Sequence, residues 1–243
     1  MLSYILYVLL AIAIGFLAAL FGLGGGFLIV PALTFLGVPI HHAVGTSSAI
    51  IIFSSISAVV EYRKHGSIHY RAGLLIALPS IFGAYIGAWT TMAIDESLLK
   101  LIFGIVLIIV AMRMIRHDVL IEKKLKAWLI PFGGFFSGLT SGLLGVGGGI
   151  INVPFLTYIG LSIHAAIATS SFAIIFTSIA STAKHYMLGN IEAIWIAIFS
   201  PGIIMGAQLG AKFAKLTKER QLKLAFALFL VFIAFSMILK ALI

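Results

Sequence analysis

The chain has no cysteine. Disulfides, iron–sulfur clusters and thiolate metal sites are therefore excluded, and the redox compartment leaves no mark. Charge is nearly as scarce, with 9% charged residues against 62% hydrophobic ones in 243 residues. A soluble domain of this size needs charged side chains over much of its surface, so this composition excludes one. Only seven acidic residues are present. None sits at the centre of an apolar segment, which removes the simplest proton relay, a carboxylate buried in the membrane.

What remains is apolar sequence in spans. Ten segments stand out: Ser3 to Phe21, Phe27 to Leu36, His42 to Tyr62, Ala72 to Ile94, Ser97 to Ile115, Ala127 to Leu144, Ile150 to Ile159, Ala165 to Met187, Ile191 to Phe213 and Gln221 to Ile243. Most approach the roughly 20 residues that cross a hydrocarbon core. The second and seventh do not, because ten helical residues rise only about 15 Å. The first lacks a basic start and a small-residue cleavage site, so it is expected to stay in the mature protein. The net charge of +9 lies in short clusters between segments, where it serves as an orientation signal rather than a nucleic-acid surface.

The two short segments belong to a duplication. Gly22 to Ser48 and Gly145 to Ser171 share 15 of 27 positions at a constant offset of 123, without a gap. The matches include Pro31 with Pro154, His41 with His164, and Thr46-Ser47-Ser48 with Thr169-Ser170-Ser171. The offset continues through Gly66 with Gly189, and Gly83 and Gly87 with Gly206 and Gly210. Repeats of residues 1–115 and 127–243 follow, joined by a basic cytoplasmic connector at 116–126.

Arg63, Lys64 and Arg71, the cluster from Arg113 to Lys126, and the cluster from Lys212 to Lys223 mark cytoplasmic loops, whereas the loops around Asp95 and Gly189 are poor in lysine and arginine. Gly66 then lies inside and its match Gly189 outside. The expected fold is an all-α integral membrane protein of two inverted-topology repeats. Each has about five apolar segments and a glycine-broken, re-entrant or half-helix hairpin, and both termini lie outside.

Inverted repeats with a broken helix in each are the architecture of many secondary transporters. A helix start presents unpaired N–H groups and the positive end of the peptide dipoles, which suits an anion. Gly24, Gly25 and Gly26, with Gly147, Gly148 and Gly149, let a ligand or a neighbouring helix approach the backbone closely; plain helix packing is the competing use. The hydroxyls of Thr46, Ser47, Ser48, Thr169, Ser170 and Ser171 suit a dehydrated oxyanion or a helix cap. His41 and His164 precede those triplets by five residues and supply a titratable cation, or simply face water.

The halves differ where Asn152 replaces Ile29, Gln208 replaces Tyr85, and Ser137, Thr140 and Ser141 replace Ile14, Leu17 and Ala18. Polar groups at membrane depth need partners, which makes Asn152 and Gln208 substrate-selecting candidates, with interhelical bonding the alternative for Gln208. The Gly-x-x-x-Gly pairs read as helix packing, and Pro79 and Pro201 as bends or breaks.

The two glycine hairpins ending in proline, Gly22 to Pro31 and Gly145 to Pro154, with the His and Thr-Ser-Ser after each, resemble the TauE/SafE sulfite exporter family. The likeness covers nearly the whole chain. It implies transport, most often outward, of small sulfur-containing anions such as sulfite, sulfoacetate or related sulfonates across a prokaryotic plasma membrane, with no metal and no organic cofactor. It places the anion path at the two glycine triplets and the two hydroxyl triplets. The partners expected are a small anion, the lipid bilayer and a coupling proton. A passive anion channel and a membrane-embedded lipid-phosphate hydrolase are the alternatives; the second lacks an acid or base beside its hydroxyls, apart from His41 and His164.

Overall fold

The computed structural model describes residues 2–64, 66–115, 129–214, 231–239 and 241. The described residues are helical almost throughout: α1 (Leu2–Phe21), α2 (Gly26–Phe35), α3 (Ile40–Arg63), α4 (Tyr70–Thr90), α5 (Glu96–Ile115), α6 (Ile130–Leu144), α7 (Gly149–Tyr158), α8 (Ile163–Met187) and α9 (Ala193–Phe213), with a further helical stretch at 231–239. Stretches within α1, α3, α8 and α9, and α4 with the turn that follows it, are five candidate spans, long and apolar enough to cross a membrane. The expected connector, 116–126, and most of the basic cluster near residues 212–223 lie outside the described residues. Helix is what a bilayer demands of such a sequence, because every backbone group in hydrocarbon must find a partner within the chain.

The short segments are helices of ten residues, α2 and α7, and each runs through its proline, Pro31 or Pro154. Each proline stands sixth in its helix, past the N–H groups that lack partners anyway, so it costs the helix one bond to the carbonyl four residues earlier while the helix continues past it. The longer α4 and α9 likewise continue through Pro79 and Pro201 rather than breaking there.

Contacts between the halves are exchanged at the offset of 123. Glu192 donates its N–H to the Thr46 hydroxyl at 2.9 Å, and the matching His69 donates to Thr169 at 3.0 Å. Gly83 and Gly87 of α4 lie against the carbonyls of Phe135 and Leu139 in α6, just as Gly206 and Gly210 of α9 lie against those of Ile12 and Phe16 in α1. A Cβ at any of these four would collide with that backbone, which is the close approach the Gly-x-x-x-Gly spacing allows. The same contacts thus recur in the two halves with their roles exchanged.

Helix directions follow from the same contacts. Ser48 meets Ser181, and Gly45 lies against His185, so α3 and its match α8 are antiparallel. The α4 helix runs parallel to α8, through Gly73 beside Phe172 and Ser80 beside Thr177. The α9 helix runs parallel to α3, through Thr46 beside Glu192 and Ser57 beside Ile204.

Candidate functional site

The site grows from two interruptions. Helix α1 ends at Phe21 and α2 begins at Gly26 with Gly25 as its cap at φ 91°; α6 ends at Leu144 and α7 begins at Gly149 with Gly148 as its cap at φ 78°. That left-handed backbone is open to glycine and strained for other residues, which is why each break is written in glycine.

The two starts converge. A Cβ built on Gly24 would lie 3.5 Å from the Cα of Gly147, and one on Gly147 equally close to Gly24, with Ile51 and Ile174 forming walls within 3.4 Å. Gly26 packs on the carbonyl of Gly145, and Gly149 on that of Gly22. The N–H groups of Gly24, Gly25, Gly26 and Phe27, and of Gly147, Gly148, Gly149 and Ile150, donate to no acceptor among the described residues. Buried and without acceptors, they stand at the starts of α2 and α7, where each helix presents the positive end of its peptide dipoles.

The carbonyl ends of the broken helices are satisfied instead. Ser47 donates to Gly145 at 2.8 Å and Ser170 to Gly22 at 3.1 Å, so each half caps the other's break. Tyr62 donates to Ala19 at 2.6 Å and the matching His185 to Gly142 at 2.9 Å. Thr46 and Thr169 accept the N–H groups of Glu192 and His69, while Ser48 and Ser171 donate to the carbonyls of Val44 and Ile167. The triplets therefore sit beside the glycine tips, with their hydroxyls spent on backbone groups.

Asn152, in the first turns of α7, is wholly buried, and neither its amide nitrogen nor its oxygen has a partner. In the first half the matching Ile29 reaches within 3.5 Å of a Cβ on Gly25, beside Ile14 and Ala18. The second half has buried Ser137 and Ser141 at those two positions, and Ser137 donates to the Gly148 carbonyl at 2.9 Å. One hairpin is thus lined by aliphatic groups and its match by polar ones.

The other candidates lie elsewhere. His41 is half-buried and donates to the carbonyl of Ile94 at 2.9 Å, and His164 is exposed. Gln208 is exposed on α9, on a face turned away from the glycines that pack against α1. At the polar edge before the apolar run of α5, the Ile40 N–H lies 3.1 Å from a carboxylate oxygen of Glu96 and, with Lys100, holds that carboxyl below its ordinary value. His42 and Glu192 pair at 2.9 Å across the halves, a contact not foreseen from sequence. Also unforeseen are the buried hydroxyls of Ser55, Ser178, Thr182 and Ser200 and the Nδ1 of His185, none of which has a partner. Comparing Tyr62 with His185 and Val59 with Thr182 at the repeat offset would have exposed Thr182 and His185.

The family profile described as "Sulfite exporter TauE/SafE" matches residues 7–237. The chain belongs to that family. It is 31% identical to a probable membrane transporter protein of Haemophilus influenzae, across 99% of this chain and all of that one. It is 30% identical to a probable membrane transporter protein of Methanocaldococcus jannaschii, across 90% and 89% of the two chains. It is 27% identical to the probable membrane transporter protein YunE of Bacillus subtilis, across 97% of each. No solved structure matches. As a member of the TauE/SafE family, this chain is a multi-pass membrane transporter.

Proposed function

We propose that this TauE/SafE protein is a secondary carrier that moves a small sulfur-containing anion, sulfite or an organosulfonate such as sulfoacetate, across a prokaryotic plasma membrane by alternating access. The observation that carries the reading is the meeting of two half-helix starts, with Gly24 against Gly147 and eight N–H groups lacking acceptors among the described residues. An oxyanion supplies those acceptors when the tips part, and it gains from both dipoles without a fixed cation to trap it. Asn152 adds a side chain on the α7 face, and the hydroxyl triplets hold the tips in place.

With α3 and α8 antiparallel, insertion in the bilayer as inverted repeats puts the matched loops at Gly66 and Gly189 on opposite faces, with both termini outside. Contact between the tips favours a carrier that occludes over an open channel. The hydrolase alternative loses support, because neither His41 nor His164 bonds a triplet hydroxyl.

The test is flux in liposomes. Purified protein is expected to exchange sulfite or sulfoacetate in a saturable manner, and Gly25→Leu to abolish exchange. Liposomes that move neither anion, or a Gly25→Leu variant with full flux, overturn the proposal.

A further inference from the structure

Helix α8 carries a line of unmet polar groups on one face. Ile174 touches the glycine tips; Ser178, Thr182 and His185 follow it at i+4, i+8 and i+11, a spacing that keeps them on one side of the helix over about 16 Å. The hydroxyls of Ser178 and Thr182 and the Nδ1 of His185 are buried without a partner. Hydroxyls in an apolar helix ordinarily bond back to the carbonyl four residues earlier. Ser171 and Thr177 on this helix do so; Ser178 and Thr182 do not.

The matching face of α3 is closed. It has Ser55, also unpaired, then Val59 in place of Thr182, then Tyr62 in place of His185 with its hydroxyl committed to Ala19. The line therefore leads in one direction only, from the tips to the C-terminal end of α8. Buried polar atoms left unmet cost roughly 1–3 kcal/mol each, and water is what normally meets them.

The tautomer of His185 follows from its partner. A carbonyl only accepts, so Nε2 carries the hydrogen that faces Gly142, and Nδ1 keeps a free lone pair. We infer that this face of α8 is the route by which water and a coupling proton reach the glycine tips, with the Nδ1 of His185 as the proton-binding atom. The proton adds to that lone pair to form an imidazolium and leaves from the same atom. The coupling role rests on the carrier reading; the wetting of the face does not.

The charged and titratable surroundings of His185 are sparse. From α3, His41, bonded to the Ile94 carbonyl, lies within electrostatic reach of it. From α4, Tyr85 carries Lys184 over its ring at 4.8 Å. Helices α6 and α7 contain no acidic, basic or histidine residue, and Glu192 beyond α8 is held by His42. A proton on His185 thus meets no compensating carboxylate, so it binds only while an anion or water is nearby.

Because the native chain has no cysteine, single cysteines report water access without background. In liposomes, Thr182→Cys is expected to react with a small, charged, water-soluble thiol reagent about tenfold faster than Val59→Cys, its match in the closed face. Equal rates overturn the route. His185→Tyr keeps a donor for Gly142, as Tyr62 does for Ala19, so it is expected to fold, to exchange sulfite, and to lose acceleration by a pH gradient. Undiminished acceleration overturns the assignment to His185. If the unaltered protein moves no sulfite, the proposed function fails, while the cysteine rates still decide whether the face is wet.

Discussion

Ser47 of one half donates its hydroxyl to the carbonyl of Gly145 in the other at 2.8 Å, at the point where helix α6 stops. A carbonyl at a helix end in hydrocarbon has no water to bond, so another part of the chain must cap it, here the opposite half. Because Ser170 returns the bond to Gly22, neither break is satisfied without the opposite half. Ser47→Ala is expected to lower stability by about 1–3 kcal/mol, since it strands a buried acceptor. Ser170→Ala is expected to cost a similar amount. Thermal unfolding in detergent checks both; a change in melting within error for either would show that its carbonyl is otherwise satisfied.

Gly26→Ala and Gly149→Ala each place a Cβ into the backbone of the opposite hairpin. Both are expected to force the tips apart and to reduce sulfite exchange severely. Gly37→Ala is the contrast: nothing lies near its Cβ, so only left-handed strain of about 1–2 kcal/mol is expected, with exchange retained. Exchange assays on the three variants separate collision from strain.

Replacing Asn152 by the isoleucine of the first half is expected to raise stability and abolish exchange. An unmet, buried carboxamide costs roughly 1–3 kcal/mol, which an aliphatic side chain with the same number of heavy atoms recovers. A protein that melts higher and transports normally would remove Asn152 from the site.

Gln208→Leu is expected to leave exchange and melting unchanged, because the side chain is exposed on the outside of α9. A lost activity would mean that this face takes part in transport.

The Glu96 carboxyl is held below its ordinary value, first by the Ile40 N–H. Its stabilising contribution is therefore complete above the ordinary glutamate range and is lost as the pH falls through the depressed value. The group is half exposed, so the effect is small. Melting measured from pH 7 downward is expected to fall less steeply in Glu96→Gln than in the unaltered protein.

Much of this arrangement was readable before any coordinates. Helices and spans follow from hydropathy because hydrocarbon leaves the backbone no other partner. The half-length of α2 and α7 follows from where the glycines fall, and those helices differ from the expected segments by one residue at each end. The packing role of Gly83, Gly87, Gly206 and Gly210 was legible too, since only a missing side chain lets helices touch at that spacing.

Partnership was not readable. Thr46, Ser47 and Ser48 have the same chemistry whether they face an anion or a carbonyl, and the fold assigned their hydroxyls to backbone groups, two of them in the other half. Gln208 and Asn152 look alike as polar letters in apolar runs. Packing left one exposed and buried the other without a partner, because the rotation of each helix about its axis is set by its neighbours. His185 shows the same limit: sequence places it near the end of a span, and only the docking of α6 onto α8 binds one of its nitrogens and leaves the other free. The sequence by itself determined helices, breaks and duplication, since these depend on local hydropathy and missing side chains. Tertiary structure decided which polar atoms remain unmet, since that depends on residues from 43 to 148 positions away that come near only when the helices pack.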